Sequence, residues 1–87
     1  MRTAAKRDAN ERPIIEALRR IGATVYVAKE PCDLIVGHKG RTVLLEVKGP
    51  GGTLTKAQQD FFAHFTGEAY IVQSIDQALE VLRVSSR

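Results

Sequence analysis

Three side chains near the middle of the chain are spaced for phosphoryl chemistry. Asp33 precedes the apolar run Leu34-Ile35-Val36, while Glu46 and Lys48 follow the run Val43-Leu44-Leu45. Whether they meet depends on how the two runs are joined. Gly37-His38-Lys39-Gly40-Arg41 lies between them, which is the pattern of two strands and a tight turn. With Lys39 and Gly40 as a two-residue turn, His38 faces Arg41. The pairing then runs outward as Gly37 with Thr42, Val36 with Val43, Ile35 with Leu44, Leu34 with Leu45, and Asp33 with Glu46. A four-residue loop over 38–41 leaves this pairing unchanged. Opposed residues share a face, with Cβ atoms ~4.5–5.5 Å apart, and Lys48, two residues beyond Glu46, joins them there.

Two carboxylates so close repel, and a sheet built only for stability has no use for the pair. A hard divalent ion such as Mg²⁺ or Mn²⁺ removes the conflict, because it binds one or two carboxylates together with water and substrate phosphate oxygens. The ammonium of Lys48 completes a site suited to phosphodiester hydrolysis. The metal would acidify a water, and Lys48 would orient that water or offset charge in the transition state.

The flanking segments must position this hairpin. A helix is expected from a cap at Asp8 or Asn10 to about Ile21, with Pro13 tolerated in its first turn and Ile14, Ile15, Ala17, Leu18 and Ile21 forming the apolar stripe. Gly22 stops it. Residues 23–28 read as a strand, and Lys29-Glu30-Pro31 turns into the hairpin. Residues 49–53, Gly-Pro-Gly-Gly-Thr, cannot be regular and suit a loop closing over a substrate backbone or a plain linker. Thr55 with Gln58 three residues on makes a capping box for a helix whose stripe, Ala57, Phe61, Phe62 and Phe65, is expected to cover the sheet. A fourth strand over 69–72 and a last helix capped by Ser74 follow. Hairpin strands apolar on both faces imply layers on both sides of an α/β fold.

Taken together, Asn10-Glu11, Pro31-Cys32-Asp33-Leu34, Leu45-Glu46-Val47-Lys48 and Leu54-Thr55-Lys56-Ala57-Gln58 resemble the PD-(D/E)xK nuclease signature, and most closely that of the VRR-NUC (virus-type replication-repair nuclease) group. Cys32 stands between Pro31 and Asp33, where that pattern has Pro next to Asp. The resemblance implies a restriction-endonuclease-like αβββαβα core with a mixed four-stranded sheet flanked by helices. It also implies a metal held by Asp33, Glu46 and the Val47 backbone carbonyl, with Glu11 reaching the site directly or through water and Gln58 supporting it. Each of the last two has a structural alternative. Glu11 in a first helical turn suits the helix dipole, and Gln58 suits the capping box. By the same resemblance the substrate is DNA, branched as in a Holliday junction or a flap, and the enzyme is a homodimer. Two-fold assembly is also physically attractive, since one small monomer covers little duplex.

Composition is compatible with this. Eighty-seven residues make a single domain, and 44% apolar with 26% charged residues is ordinary for a globular protein. No apolar run approaches a membrane span, and the basic start at 1–7, read as a loose arm, leads into no signal peptide. A lone cysteine, Cys32, excludes an internal disulfide and fits the cytoplasm; it reads as a small filler beside the site. The net charge of +3 is not extreme and by itself favours a solubilising face over phosphate-backbone binding; the motif reverses that preference. There is no nucleotide-binding glycine motif. Two other classes compete: a nucleic-acid-binding module that does not cleave, and a small interaction subunit presenting Phe61, Phe62 and Phe65 to a partner. The latter needs those rings exposed, whereas the nuclease reading expects them buried.

Overall fold

The computed structural model describes residues 9–85, so Asp8 and the arm at 1–7 lie outside the described residues. The elements run α1 (Glu11–Arg20), β1 (Thr24–Val27), β2 (Leu34–His38), β3 (Arg41–Val47), α2 (Lys56–His64), β4 (Ala69–Val72) and α3 (Ile75–Ser85). They form a small α/β fold with one mixed sheet in the order β1-β2-β3-β4. The first three strands are antiparallel neighbours, and β4 lies parallel to β3. A parallel neighbour needs a crossover, which the segment carrying α2 supplies.

The hairpin has the expected register, from Leu34 opposite Leu45 to His38 opposite Arg41. Its turn is set by Lys39 (φ 52°) and Gly40 (φ 83°), both left-handed as a two-residue turn of this hand requires. One face carries Val25, Leu34, Val36, Val43, Leu45, Val47 and Val72, packed against Ile14 and Leu18 of α1 and Ala78 and Leu82 of α3. Each such large side chain contributes ~1.5–3 kcal/mol on leaving water. Ile21, expected on the α1 stripe, is instead the C-cap and 47% exposed. The chain reverses there, with the Gly22 and Ala23 amides donating back to the Arg19 and Leu18 carbonyls at 3.0 and 3.1 Å.

The opposite face is covered less than expected. No residue of α2 is fully buried. Phe61 and Phe62 are half-buried, Ala57 is exposed, and Phe65 is 42% exposed. The rings satisfy part of their apolar surface on one another: Phe61 stacks on Phe65 with centroids 4.8 Å apart and meets Phe62 edge-on at 5.3 Å. On the same face, Tyr26 and Ile71 remain 67% and 44% exposed.

Arg41, at the start of β3, pairs with Glu68 and also donates to the carbonyls of Val81 and Leu82 in α3. That cation near a helix C-terminus ties the sheet to the last helix. Among the described residues no helix is long and apolar enough to cross a membrane.

Candidate active site

Glu46 is the centre of the site. It is the sixth residue of β3, on the face away from α1 and α3, and only 3% exposed. One oxygen, Oε2, accepts a hydrogen bond from Gln58 Nε2 at 2.8 Å and lies 3.2 Å from Lys48 Nζ. Alternation along the strand puts Lys48 on the same side as Glu46, and the Lys48 amide donates to Val72 O at 3.0 Å, continuing the β3–β4 ladder past the last strand residue.

Asp33 arrives from the other strand, though not as a regular ladder partner, because β2 begins one residue later. Its backbone carbonyl accepts from the amide of Ala28, the residue after β1, at 2.7 Å. Its carboxylate oxygen Oδ2 accepts from the Val47 amide at 2.8 Å, clamping the two carboxylate-bearing chain segments together. Asp33 and Glu46 are close enough to interact by charge and by hydrogen bond. Burial, then the Asp33 charge, push the Glu46 carboxyl above the usual carboxylate range, while Lys48 draws it partly back. A buried carboxylate that a second carboxylate makes hard to ionise is the environment a divalent cation reverses. Two carboxylates are donors of the kind a hard ion takes.

Gln58 makes the capping contacts and a contact to Glu46 at once. Its Oε1 accepts from the Thr55 amide at 2.9 Å while the Thr55 hydroxyl accepts from the Gln58 amide at 3.1 Å, a complete capping box. The amide end that remains reaches Glu46. Capping thus orients the side chain that holds the carboxylate.

Glu11 lies buried in the first turn of α1. Among the described residues, no three His, Cys, Asp or Glu side chains form a group arranged to hold a metal, so Glu11 is not drawn into a three-carboxylate set with Asp33 and Glu46. Val47, between the two site residues, is buried on the core side. Cys32 is fully buried, and burial followed by the charges of Glu46 and Asp33 pushes its thiol up to about 12. It is an inert filler at neutral pH.

One contributor was not evident from the sequence. Asn10 stands at the N-cap of α1, but its side chain makes no capping bond. Instead Nδ2 donates to the carbonyls of Lys48 at 3.2 Å and Gln73 at 2.8 Å. It ties α1 to the exits of β3 and β4, next to Lys48. Its signals in the sequence are the Asn10-Glu11 pair of the nuclease resemblance, which gives Asn10 no role of its own, and its place at a helix start, where local spacing favours the cap.

The glycine loop after β3 folds back on the site. A Cβ at Gly52 would lie 3.4 Å from that of Lys48 and 3.2 Å from the Gly49 carbonyl, so the loop confines the lysine stem. Comparison of the chain with protein-family models, with curated proteins and with solved structures gave no match.

Proposed function

We propose that the protein is a Mg²⁺- or Mn²⁺-dependent DNA endonuclease of the PD-(D/E)xK type, with a restriction-endonuclease-like core similar to the VRR-NUC group. The observation that carries this reading is the shared oxygen of Glu46: a buried carboxylate beside Asp33 that receives both Lys48 and Gln58. An acid pair that is costly without a cation, with an ammonium at its edge, suits attack on a phosphodiester.

Asp33, Glu46 and the Val47 carbonyl would hold the cation, with Glu11 contributing through water; when bound, the ion supplies an acidified water and charge neutralisation at the phosphate. The protein's own part is positional and electrostatic. Lys48 orients the attacking water and offsets charge on the non-bridging oxygens in the transition state. Gln58 keeps the Glu46 carboxylate in one orientation. Asp33, held by the Val47 amide, keeps the two carboxylates facing a common point. No base-reading motif accompanies them, which suits recognition of shape and backbone and a branched substrate.

A homodimer would place two such sites on two strands. The exposed apolar side chains of Tyr26, Ile71 and Phe65 favour some partner surface, whether a second copy or another protein, and sedimentation at micromolar concentration distinguishes monomer from dimer. The test of the enzymatic reading is metal-dependent cleavage of duplex, flap and four-way DNA, with Lys48→Ala as control. Cleavage is expected with Mg²⁺ or Mn²⁺ and not in chelator. Wild-type activity in Lys48→Ala overturns the mechanism, and metal-independent binding without cleavage by the wild type favours the non-cleaving module.

A further inference from the structure

A groove of about 310 Å³ opens beside the site, between the β1–β2 connection and the N-terminal half of α2, lined by Lys29, Glu30, Pro31, Thr55, Gln58 and Phe61. Both of its walls are continuous with the acid pair. Pro31 stands two residues before Asp33, and Gln58 on the other wall donates to Glu46 Oε2. Whatever fills the groove therefore lies next to the group held at the carboxylates.

The lining indicates the chemistry of the occupant. Lys29 and Glu30 cancel in charge, so the groove offers a phosphate no net positive charge. Pro31 and the Phe61 ring provide flat apolar surface. The Thr55 oxygen accepts from the Gln58 amide, which leaves its hydroxyl proton to donate, and Gln58 Nε2 has a second hydrogen beyond the one on Glu46. A groove of mixed lining, with apolar surface from Pro31 and Phe61 and two donors from Thr55 and Gln58, matches a nucleobase, a ring with carbonyl and ring-nitrogen acceptors. The volume lies at the small end for a ligand pocket, enough for one base and its sugar.

We propose that this groove seats one unpaired nucleobase of the strand whose phosphate reaches Asp33 and Glu46. The proposal rests on the nuclease reading and names its substrate class: DNA with a single-stranded nucleotide at the break, such as a flap or frayed junction, in preference to continuous duplex. A base stacked within a duplex cannot enter without first being extruded, which costs free energy that an unpaired base does not.

The test is fluorescence anisotropy in chelator, with a labelled single strand, a blunt duplex of the same sequence, and that duplex carrying a flap. The single strand and the flapped duplex are expected to bind at least about tenfold more tightly than the blunt duplex, the order that base–aromatic stacking supplies. Phe61→Leu keeps apolar bulk but removes the ring, and Ala57→Leu fills the groove, which Ala57 also lines from an exposed helical position; each should bring single-strand affinity to within about twofold of duplex affinity. If Phe61→Leu does not fold, Ala57→Leu carries the comparison. Equal binding of single strand and blunt duplex by the wild type, or an undiminished preference in Ala57→Leu, overturns the groove assignment. Cleavage of the same three DNAs with Mg²⁺ separates the two claims. Failure to cleave any of them removes the nuclease reading while the binding preference still decides the groove, and blunt duplex cut as fast as flapped keeps the nuclease and overturns the groove.

Discussion

Without a cation, the Asp33–Glu46 pair is a local instability, and adding one should be visible as thermal stabilisation. An ion that binds the folded site and not the unfolded chain adds RT ln 11, or ~1.4 kcal/mol, at about ten times its Kd. For a domain of this size each kcal/mol moves the Tm by ~4–8 °C, which gives a rise of roughly 6–11 °C. The folded Glu46 carboxyl binds its proton more tightly than the unfolded one, because burial and Asp33 oppose its charge. Stability of the metal-free protein therefore falls as pH rises from the usual carboxylate range through the raised value, and the full cost of the ionised group is present above it. The cation competes with that proton, so its stabilisation should be largest above this window and fade below the usual carboxylate range. Glu46→Gln removes the charge and keeps the Gln58 acceptor. It should raise the metal-free Tm at pH 7, converge with wild type near pH 4, and abolish the metal-induced rise. Differential scanning calorimetry with Mg²⁺ or Mn²⁺ titrated at pH 4, 5.5 and 7 reads all three. No rise at pH 7 with tens of millimolar Mn²⁺, or a full rise in Glu46→Gln, refutes the reasoning.

Other outcomes follow from the same geometry. Lys48→Ala should lower single-turnover cleavage about 10²- to 10³-fold, the loss typical when one group that stabilises transition-state charge is removed, while DNA affinity changes little. Asn10→Ala frees the Lys48 and Gln73 carbonyls and should cost about 1–2 kcal/mol in urea unfolding; a loss within error means the amide bridges are not maintained in solution. Leu45→Ala, in the fully buried centre of β3, should cost ~2–5 kcal/mol by the same measurement. Thr55→Ala removes half of the capping box and should both destabilise the protein by ~0.5–2 kcal/mol, read by urea unfolding, and loosen Gln58 on Glu46, lowering kcat.

What could be read from the sequence was whatever follows from local rules with few alternatives. The hairpin register was one of these, because the Lys39-Gly40 turn dictates the first pair and the period of two propagates it to the carboxylates. Even there the ladder ends at Leu34, and Asp33 reaches the partner strand by its side chain instead of its backbone. For Gln58 the spacing offers capping or a contact to the site, but a side-chain amide has an acceptor end and a donor end, and the first meets the Thr55 amide while the second meets Glu46. Asn10 went the other way: its position suggested a cap, and contacts to residues 38 and 63 positions away claimed the side chain. Such distant partners leave no trace in local spacing. Ile21 fits the α1 stripe by periodicity, but the helix ends one residue before it. How far α2 would cover the sheet depended on its docking, which an apolar stripe does not specify, and its rings partly cover each other.

The most direct measurement is the anomalous scattering of Mn²⁺ in crystals of the protein, collected at the manganese absorption edge. The account predicts a peak between Asp33 and Glu46, with a carboxylate oxygen of each at ligand distance and Lys48 beside it, and loss of that peak in Glu46→Gln crystals treated identically. Ordered side chains at the site with no peak there, or manganese found only elsewhere on the surface, would contradict it.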